Sequence, residues 1–406
     1  MVILTRWRGQ SLTLSTKPNC LTLSLQSGKE TRVFSFDGEG RFWTGIVQNI
    51  SYRRGLDGKI VAKWQEEGST QRGRRWLSEE ESGLLQESAR QVCADLLNDI
   101  QSGQLTLNPA LDERGWAFLR RAVEFTPQRY RQDVARYHAV YRPVGILPPD
   151  QYMAVVLQAA EGCSFNTCTF CNFYRDRPFR IKKPDEFLDH MKAVREFLGE
   201  GLSLRRTIFL GDANALVIPM PRLVELMNAI HEQFDVEHLG GIYAFLDGFS
   251  AEKKTPEDYA RLRELGLRRV YIGMESGNDA LLRFLKKPGT AGDVVQAVQA
   301  IKRGGVAVGI ILLLGAGGHQ FAQQHVADSI RALQAMLLDA DDLIYFSELV
   351  EGKGMEYTRD AFQAHLHPLT PEERIAQGEA IEQALSFSED AGTPHISRYD
   401  IREFVY

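Results

Sequence analysis

Apolar and polar positions change period twice along this chain. Over the first 66 residues, short segments rich in β-branched and aromatic side chains (ILTRWRG, CLTLSLQ, TRVFSFDG, RFWTGIVQNIS and KIVAKW) are parted by the turn formers DGEG and GLDG. That pattern predicts antiparallel strands. Residues 78–104 and 112–140 then carry apolar positions at helical spacing. From about residue 150, six apolar runs alternate with helical stretches: YMAVVLQ, RRTIFLGD, LGGIYAFLD, RRVYIGME, VAVGIILLLG and DLIYFSELV. Helix starts are marked by chemistry as well as by period. Thr255, Pro256 and Asp258 supply an N-cap, a proline at the first helical position and an acid in the first turn, and Thr370, Pro371 and Glu373 repeat the device. The predicted fold class is α/β: a partial (β/α)6 TIM-like barrel behind an N-terminal β-rich plus helical module, with an open doubly wound sheet as the alternative. The segments read as a β-rich module over 1–77, a helical segment and linker over 78–149, a core over 150–350 and a C-terminal helical extension over 351–406.

Composition sharpens the division. All five tryptophans fall within the first 116 residues, so the N-terminal part is a module of different character. With 44% hydrophobic and 25% charged residues, the 406-residue chain is ordinary globular material. It has no run of roughly 18 to 20 apolar residues and no apolar signal segment at its start, which predicts a cytoplasmic protein with no membrane partner. A net charge of −5 weighs against a nucleic-acid partner. The arginines at 120, 121, 129, 131 and 136 are diluted by Asp112, Glu113, Glu124 and Asp133, as on a solvated helix face.

The chain has five cysteines, and three of them, Cys163, Cys168 and Cys171, lie within nine positions as C-x4-C-x2-C. Cys20 and Cys93 read as isolated buried thiols. Three clustered thiolates are soft metal ligands. A structural zinc site wants four protein ligands, and a plant-type [2Fe–2S] centre of this spacing needs a further cysteine downstream, yet no cysteine follows Cys171. Three do suit a [4Fe–4S] cubane with one iron left free. The loop follows the first core strand, at the end where parallel barrels place their sites.

The stretch CSFNTCTFCNF resembles the cluster loop of the radical S-adenosylmethionine (radical SAM) superfamily, with Phe170 in the aromatic place before the last cysteine and one residue more than the commonest C-x3-C-x2-C form. The resemblance spans roughly residues 150–350. It implies a [4Fe–4S] cluster on Cys163, Cys168 and Cys171 whose open iron is chelated by S-adenosyl-L-methionine, cleaved reductively to a 5′-deoxyadenosyl radical, with a reductant such as flavodoxin or ferredoxin as partner. It further implies cofactor contacts from Gly211 and Asp212 in LGDANAL. GMESGNDALLRFLKK is similar to a strand end with Glu275 and Ser276 beside the cofactor and Lys287, twelve positions on, pairing with its carboxylate; a solvated lysine at a helix end is the alternative. Gly315 in LLLGAGGHQ would permit close approach to the adenosine. The basic run Arg175, Arg177, Arg180, Lys182 and Lys183 reads as a solvated charge run or as a contact for an anionic substrate or electron donor. Two further readings stay open: a non-catalytic iron–sulfur carrier or sensor, and an RNA-modifying radical enzyme using the arginine-bearing helix. Neither the substrate nor any catalytic residue can be named from the sequence.

Overall fold

Alternation near the N-terminus becomes eight antiparallel strands paired in sequence order: β1 (Val2–Trp7), β2 (Gln10–Thr16), β3 (Cys20–Ser27), β4 (Glu30–Asp37), β5 (Phe42–Val47), β6 (Ile50–Arg54), β7 (Ile60–Gln65) and β8 (Arg72–Trp76). The last of these lies beyond the strands expected from sequence. The computed structural model describes residues 1–66, 72–249, 254–352, 354–388, 390 and 392–406. They divide into two units, one of residues 1–144, 192–206 and 403–406, the other of residues 145–191 and 207–402.

In the first unit, Leu12 and Leu14 on β2 and Leu21, Leu23 and Leu25 on β3 are buried at the two-residue spacing of a half-covered sheet. Helices α1 (Glu79–Gln101), α2 (Glu113–Glu124) and α3 (Pro127–Val140) cover that face. Ala89, Cys93 and Leu96 of α1 and Phe118, Leu119 and Ala122 of α2 join the strand leucines in one core. The strands and helices expected as separate segments, 1–77 and 78–149, thus share one core, because neither layer can bury its apolar face alone. The helical stretch over 112–140 is broken where Thr126 caps a new helix through Arg129 N and Pro127 opens it. Cys20 and Cys93 are both buried here, and burial pushes their thiols up. Arg121 donates to Gly38 O at 2.7 Å and Arg136 to Glu196 O at 3.1 Å, so two of the helical arginines are tied within the unit.

The second unit carries β9 (Ala154–Gln158), the short antiparallel pair β10 (Ala160–Glu161) and β11 (Arg180–Ile181), then β12 (Thr207–Gly211), β13 (Ile242–Phe245), β14 (Leu267–Glu275), β15 (Ala307–Leu314), β16 (Leu343–Glu348) and β17 (His395–Tyr399). Among the described residues, seven of these form a parallel sheet in the order β17-β16-β15-β14-β13-β12-β9. All six expected core strands are present. The seventh, β17, lies in the stretch read as a helical extension: pairing with β16 from Leu343↔His395 to Ser347↔Tyr399 makes it an edge strand with no fully buried residue. Each strand is added beside its predecessor and the order never reverses, which excludes the doubly wound alternative, whose strand order turns back at a switch point. Right-handed crossovers repeated in one sense keep the connecting helices on one face. These are α4 (Pro184–Leu198), whose residues from 192 on count with the first unit, α5 (Met220–Gln233), α6 (Pro256–Glu264), α7 (Asp279–Phe284), α8 (Ala291–Arg303), α9 (Gly318–Ala335), α10 (Glu356–Gln363) and α11 (Pro371–Ala384). Thr255 and Thr370 are the N-caps expected, and with Asp258 and Glu373 they close reciprocal capping boxes.

The opposite face is layered. Tyr271 is fully buried there, and a Cβ on neighbouring Gly309 would come within 2.4 Å of its ring. Further along the strands Gly273, Ile311, Leu313 and Ser347 line a cavity of about 350 Å³. No described helix is long and apolar enough to cross a membrane.

Candidate active site

The cysteine loop is held at both ends and along its length. Pairing of β10 with β11 closes its base, where Glu161 binds Arg180 at 2.8 Å and Lys182 at 2.5 Å. Against the cost of burial, these two cations hold the Glu161 carboxyl down at about 2. Asn166, at a left-handed φ of 53°, donates to Tyr174 O at 2.9 Å, Thr167 to Lys286 O at 3.0 Å, and Thr169 N to Leu285 O at 3.0 Å. The Arg175 guanidinium donates to the carbonyls of Cys168 and Cys171, at 3.0 and 3.1 Å. All three cysteines are free thiols lining the 350 Å³ cavity. Burial pushes the Cys168 thiol up and that of Cys171 to about 12. Among the described residues, no three His, Cys, Asp or Glu side chains converge on one point as a single metal ion would require.

Facing the cysteines, β14 ends irregularly. The register with β15 shifts between Gly273 and Glu275, and Glu275 takes a left-handed φ of 63°. This folds its carboxylate back over Gly273, where a Cβ would lie 2.3 Å from Glu275 Oε1. Lys287 pairs with Glu275 at 3.6 Å, its ammonium 5.9 Å from the Phe249 ring. Burial raises the Glu275 carboxyl and Lys287 pulls it the other way. Both line the cavity, as does Phe170.

The remaining expected contacts sit elsewhere. Asp212 is buried with its carboxylate turned to the cysteine loop: Oδ1 accepts from Gln158 Nε2 at 2.8 Å, and Oδ2 accepts from Gly162 N at 3.0 Å and pairs with Arg177 at 3.3 Å. Gly211 packs with its α-carbon toward Val156 and Gln158. Ser276 is buried against His325 Nδ1 at 2.7 Å and accepts from Asn278 N, behind the cavity; burial pushes His325 down to about 4. Gly315 donates its N–H to Gln377 Oε1 at 2.8 Å, in contact with α11. Arg175, Arg177, Arg180 and Lys182 of the basic run are all ion-paired.

Two cavity groups carried no signal in sequence. Asn214 bonds Ser164 Oγ at 2.9 Å and Asp247, whose own N–H donates back to Asn214 Oδ1 at 3.1 Å. Tyr399, on the unforeseen β17, stands beside Ser347. The Asp-Ala-Asn sequence after a strand is a turn signal, but its partner lies 33 residues on.

Asp212→Ala is expected to take an acceptor from Gly162 N and Gln158 Nε2 and one of its two carboxylates from Arg177, the loss of a buried partner costing about 1–3 kcal/mol. Limited trypsin digestion should then cut after Arg175 several-fold faster with circular dichroism unchanged; an unaltered digestion rate would show that Asp212 does not hold the loop.

Residues 157–330 match the profile of the Radical SAM superfamily, so the chain carries a radical SAM domain. Among curated proteins it is similar to the heme chaperone HemW of Lactococcus lactis subsp. lactis (strain IL1403), 26% identical over 148 residues, which are 35% of this chain and 36% of that one. Among solved structures, coproporphyrinogen III oxidase (HemN) from Escherichia coli, a radical SAM enzyme, aligns over 64% of this chain and 55% of its own at 16% identity and a TM-score of 0.44. Streptococcus suis SuiB aligns over 87% of this chain and 72% of its own at 12% identity and a TM-score of 0.39. The match thus spans about a third of HemW and about half of HemN.

Proposed function

We propose that this protein is a radical SAM enzyme that binds one [4Fe–4S] cluster and S-adenosylmethionine in the 350 Å³ cavity. The carrying observation is three free thiols facing one cavity at the C-terminal ends of parallel strands, inside the stretch that matches the superfamily. The residues fit the cluster: the donors are soft, they line the cavity instead of converging on a point, and the protein offers three where a cubane has four irons. When bound, the cluster and S-adenosylmethionine supply one-electron reductive cleavage to methionine and a 5′-deoxyadenosyl radical.

The chain's own residues then divide the work. Cys163, Cys168 and Cys171 hold the cluster as thiolates; at Cys168 and Cys171 burial disfavours the free anion, so deprotonation there waits on the metal. Glu275 and Lys287 form a paired anion and cation suited to the amino and carboxylate groups of the cofactor. Asp212 and Arg175 hold the loop through its backbone. Apolar side chains such as Phe165, Phe245, Phe249 and Leu349 exclude water from a reactive radical. Among the described residues Lys287 is the only lysine or arginine of the lining, and it is already paired. That disfavours a polyanionic substrate, whose charges would stay unmatched. A soluble one-electron donor such as flavodoxin or ferredoxin would supply the reducing electron.

The test is anaerobic reconstitution with iron and sulfide, reduction, and electron paramagnetic resonance with and without S-adenosylmethionine, with 5′-deoxyadenosine assayed in the same tube. A cluster signal that changes on adding the cofactor, with deoxyadenosine formed, is expected; a cluster indifferent to it would leave an electron carrier.

Gly273→Ala probes the cradle more finely. The atom in the way is the end of a flexible side chain, so Glu275 can swing aside at a stability cost of less than about 1.5 kcal/mol. Iron content should be kept while S-adenosylmethionine binding weakens at least about tenfold, the equivalent of 1.4 kcal/mol. Unchanged affinity by titration would remove Glu275 from the cofactor site.

A further inference from the structure

Radical chemistry in the cavity needs a way to end, and the chain offers no thiol for it: the two cysteines outside the cluster loop, Cys20 and Cys93, are buried in the other unit. Of the thirteen tyrosines only Tyr174 and Tyr399 line the cavity. Tyr174 lies under the Arg177 guanidinium at 5.3 Å, and a cation over the ring opposes loss of an electron from it. Tyr399 differs. It stands on β17 next to Ser347 of β16, and its ring meets that of Tyr345 edge to face, centroids 5.6 Å apart. Tyr345 and Ser347 are two positions apart on one strand and so share the cavity face. The Tyr345 hydroxyl donates to Asp150 Oδ1 at 2.8 Å. Asp150, which also accepts from Tyr271 and pairs with Arg269 at 3.2 Å, is 28% exposed. A phenol gives up an electron readily only if its proton has an acceptor within hydrogen-bond reach, and Tyr345 has one.

We infer that Tyr399 is the hydrogen-atom donor of the cavity and that Tyr345 with Asp150 restores it from further down the same face of the sheet, an inference that rests on the radical reading above. A carbon radical in the cavity takes the hydrogen atom of the Tyr399 hydroxyl: the O–H bond breaks, a C–H bond forms, and Tyr399 is left as a neutral phenoxyl. That phenoxyl takes one electron from Tyr345 and one proton from solvent water, while Tyr345 passes its own proton to Asp150. A soluble one-electron reductant then reduces Tyr345, and Asp150 returns the proton. The net change is one electron and one proton added to the carbon radical. Seen this way, β17 supplies a reactive group to the cavity wall as well as extending the sheet.

The test has two arms. In the first, 3-aminotyrosine, a lower-potential trap with its own paramagnetic resonance signature, replaces Tyr399 in the full chain without cluster or cofactor. The protein is then oxidised from solvent by a photoexcited ruthenium polypyridyl complex with persulfate. The aminotyrosyl signal is expected with Tyr345 intact and should fall several-fold with Tyr345→Phe; equal yields would overturn the relay. In the second, the reconstituted protein is reduced with S-adenosylmethionine and freeze-quenched. A tyrosyl signal should appear in the unsubstituted protein, vanish in Tyr399→Phe and persist longer in Tyr345→Phe, with 5′-deoxyadenosine formed in all three. Deoxyadenosine without any tyrosyl signal overturns the donor role alone. No deoxyadenosine from the unsubstituted protein overturns the radical reading of the site, and the donor role with it.

Discussion

Replacing any one of Cys163, Cys168 or Cys171 with alanine is expected to take iron after reconstitution from about four per chain, the content of a cubane, to below about one, and to abolish 5′-deoxyadenosine. The reasoning is geometric. The three thiols line one cavity on a loop pinned by Asn166, Thr169 and Arg175, so no other side chain can move in to replace a lost ligand without undoing that pinning. No described histidine or acid completes a three-ligand group with the remaining two cysteines. The matched controls are Cys20→Ala and Cys93→Ala. Both thiols are buried in the first unit, so removing either should leave iron content and deoxyadenosine unchanged, at a cavity cost to stability of about 1–2 kcal/mol at Cys93. Iron and sulfide assays with the ultraviolet–visible spectrum settle the point; full iron in any cluster-loop variant would refute the ligand assignment.

What could be read from sequence follows from how each feature is encoded. The six core strands are legible because parallel strands covered on both faces are near-continuous apolar runs, as AVVLQ and AVGIILLL are. β17 is not, because an edge strand reading HISRY keeps polar side chains on both faces. The helix starts at Thr255 and Thr370 are local, three residues long, and therefore visible. The cysteine spacing is local too. Orientation is different: Asp212 directly follows β12, as the pattern implies, but where its carboxylate points depends on Gln158 and Gly162, some 50 residues earlier. Ser276 likewise follows the right strand, yet its hydroxyl is claimed by His325, 49 residues on. Asn214 and Asp247 find each other only once β12 and β13 are paired. Sequence pattern reports period and local chemistry; partners brought together by topology it does not report.

A buried ion-pair network in the first unit gives the largest expected loss of stability. Asp133 on α3 is buried between Arg41, whose Nε donates at 2.8 Å, and Arg54 at 3.2 Å. Arg41 also pairs with Asp37 at 3.3 Å and donates to the carbonyls of Phe197 and Leu198, all buried. Removing the Asp133 side chain leaves two guanidinium groups out of water with one carboxylate, Asp37, between them. Breaking a buried pair from one side costs about 3–5 kcal/mol, because the remaining charge is neither paired nor hydrated. For a unit of this size that corresponds to a fall in Tm of roughly 10 °C. All five tryptophans lie in this unit, so tryptophan fluorescence follows its unfolding without signal from the second. Asp95→Ala, which breaks the exposed Arg8–Asp95 pair at 2.8 Å, serves as the comparison and should cost no more than about 1 kcal/mol. If urea unfolding showed equal losses for Asp133→Ala and Asp95→Ala, the buried pair would be contributing no more than a solvated one. The expected order, with Asp133 several-fold the larger, follows from hydration alone: at Asp95 water replaces the lost partner, and around Arg41 there is no room for it to do so.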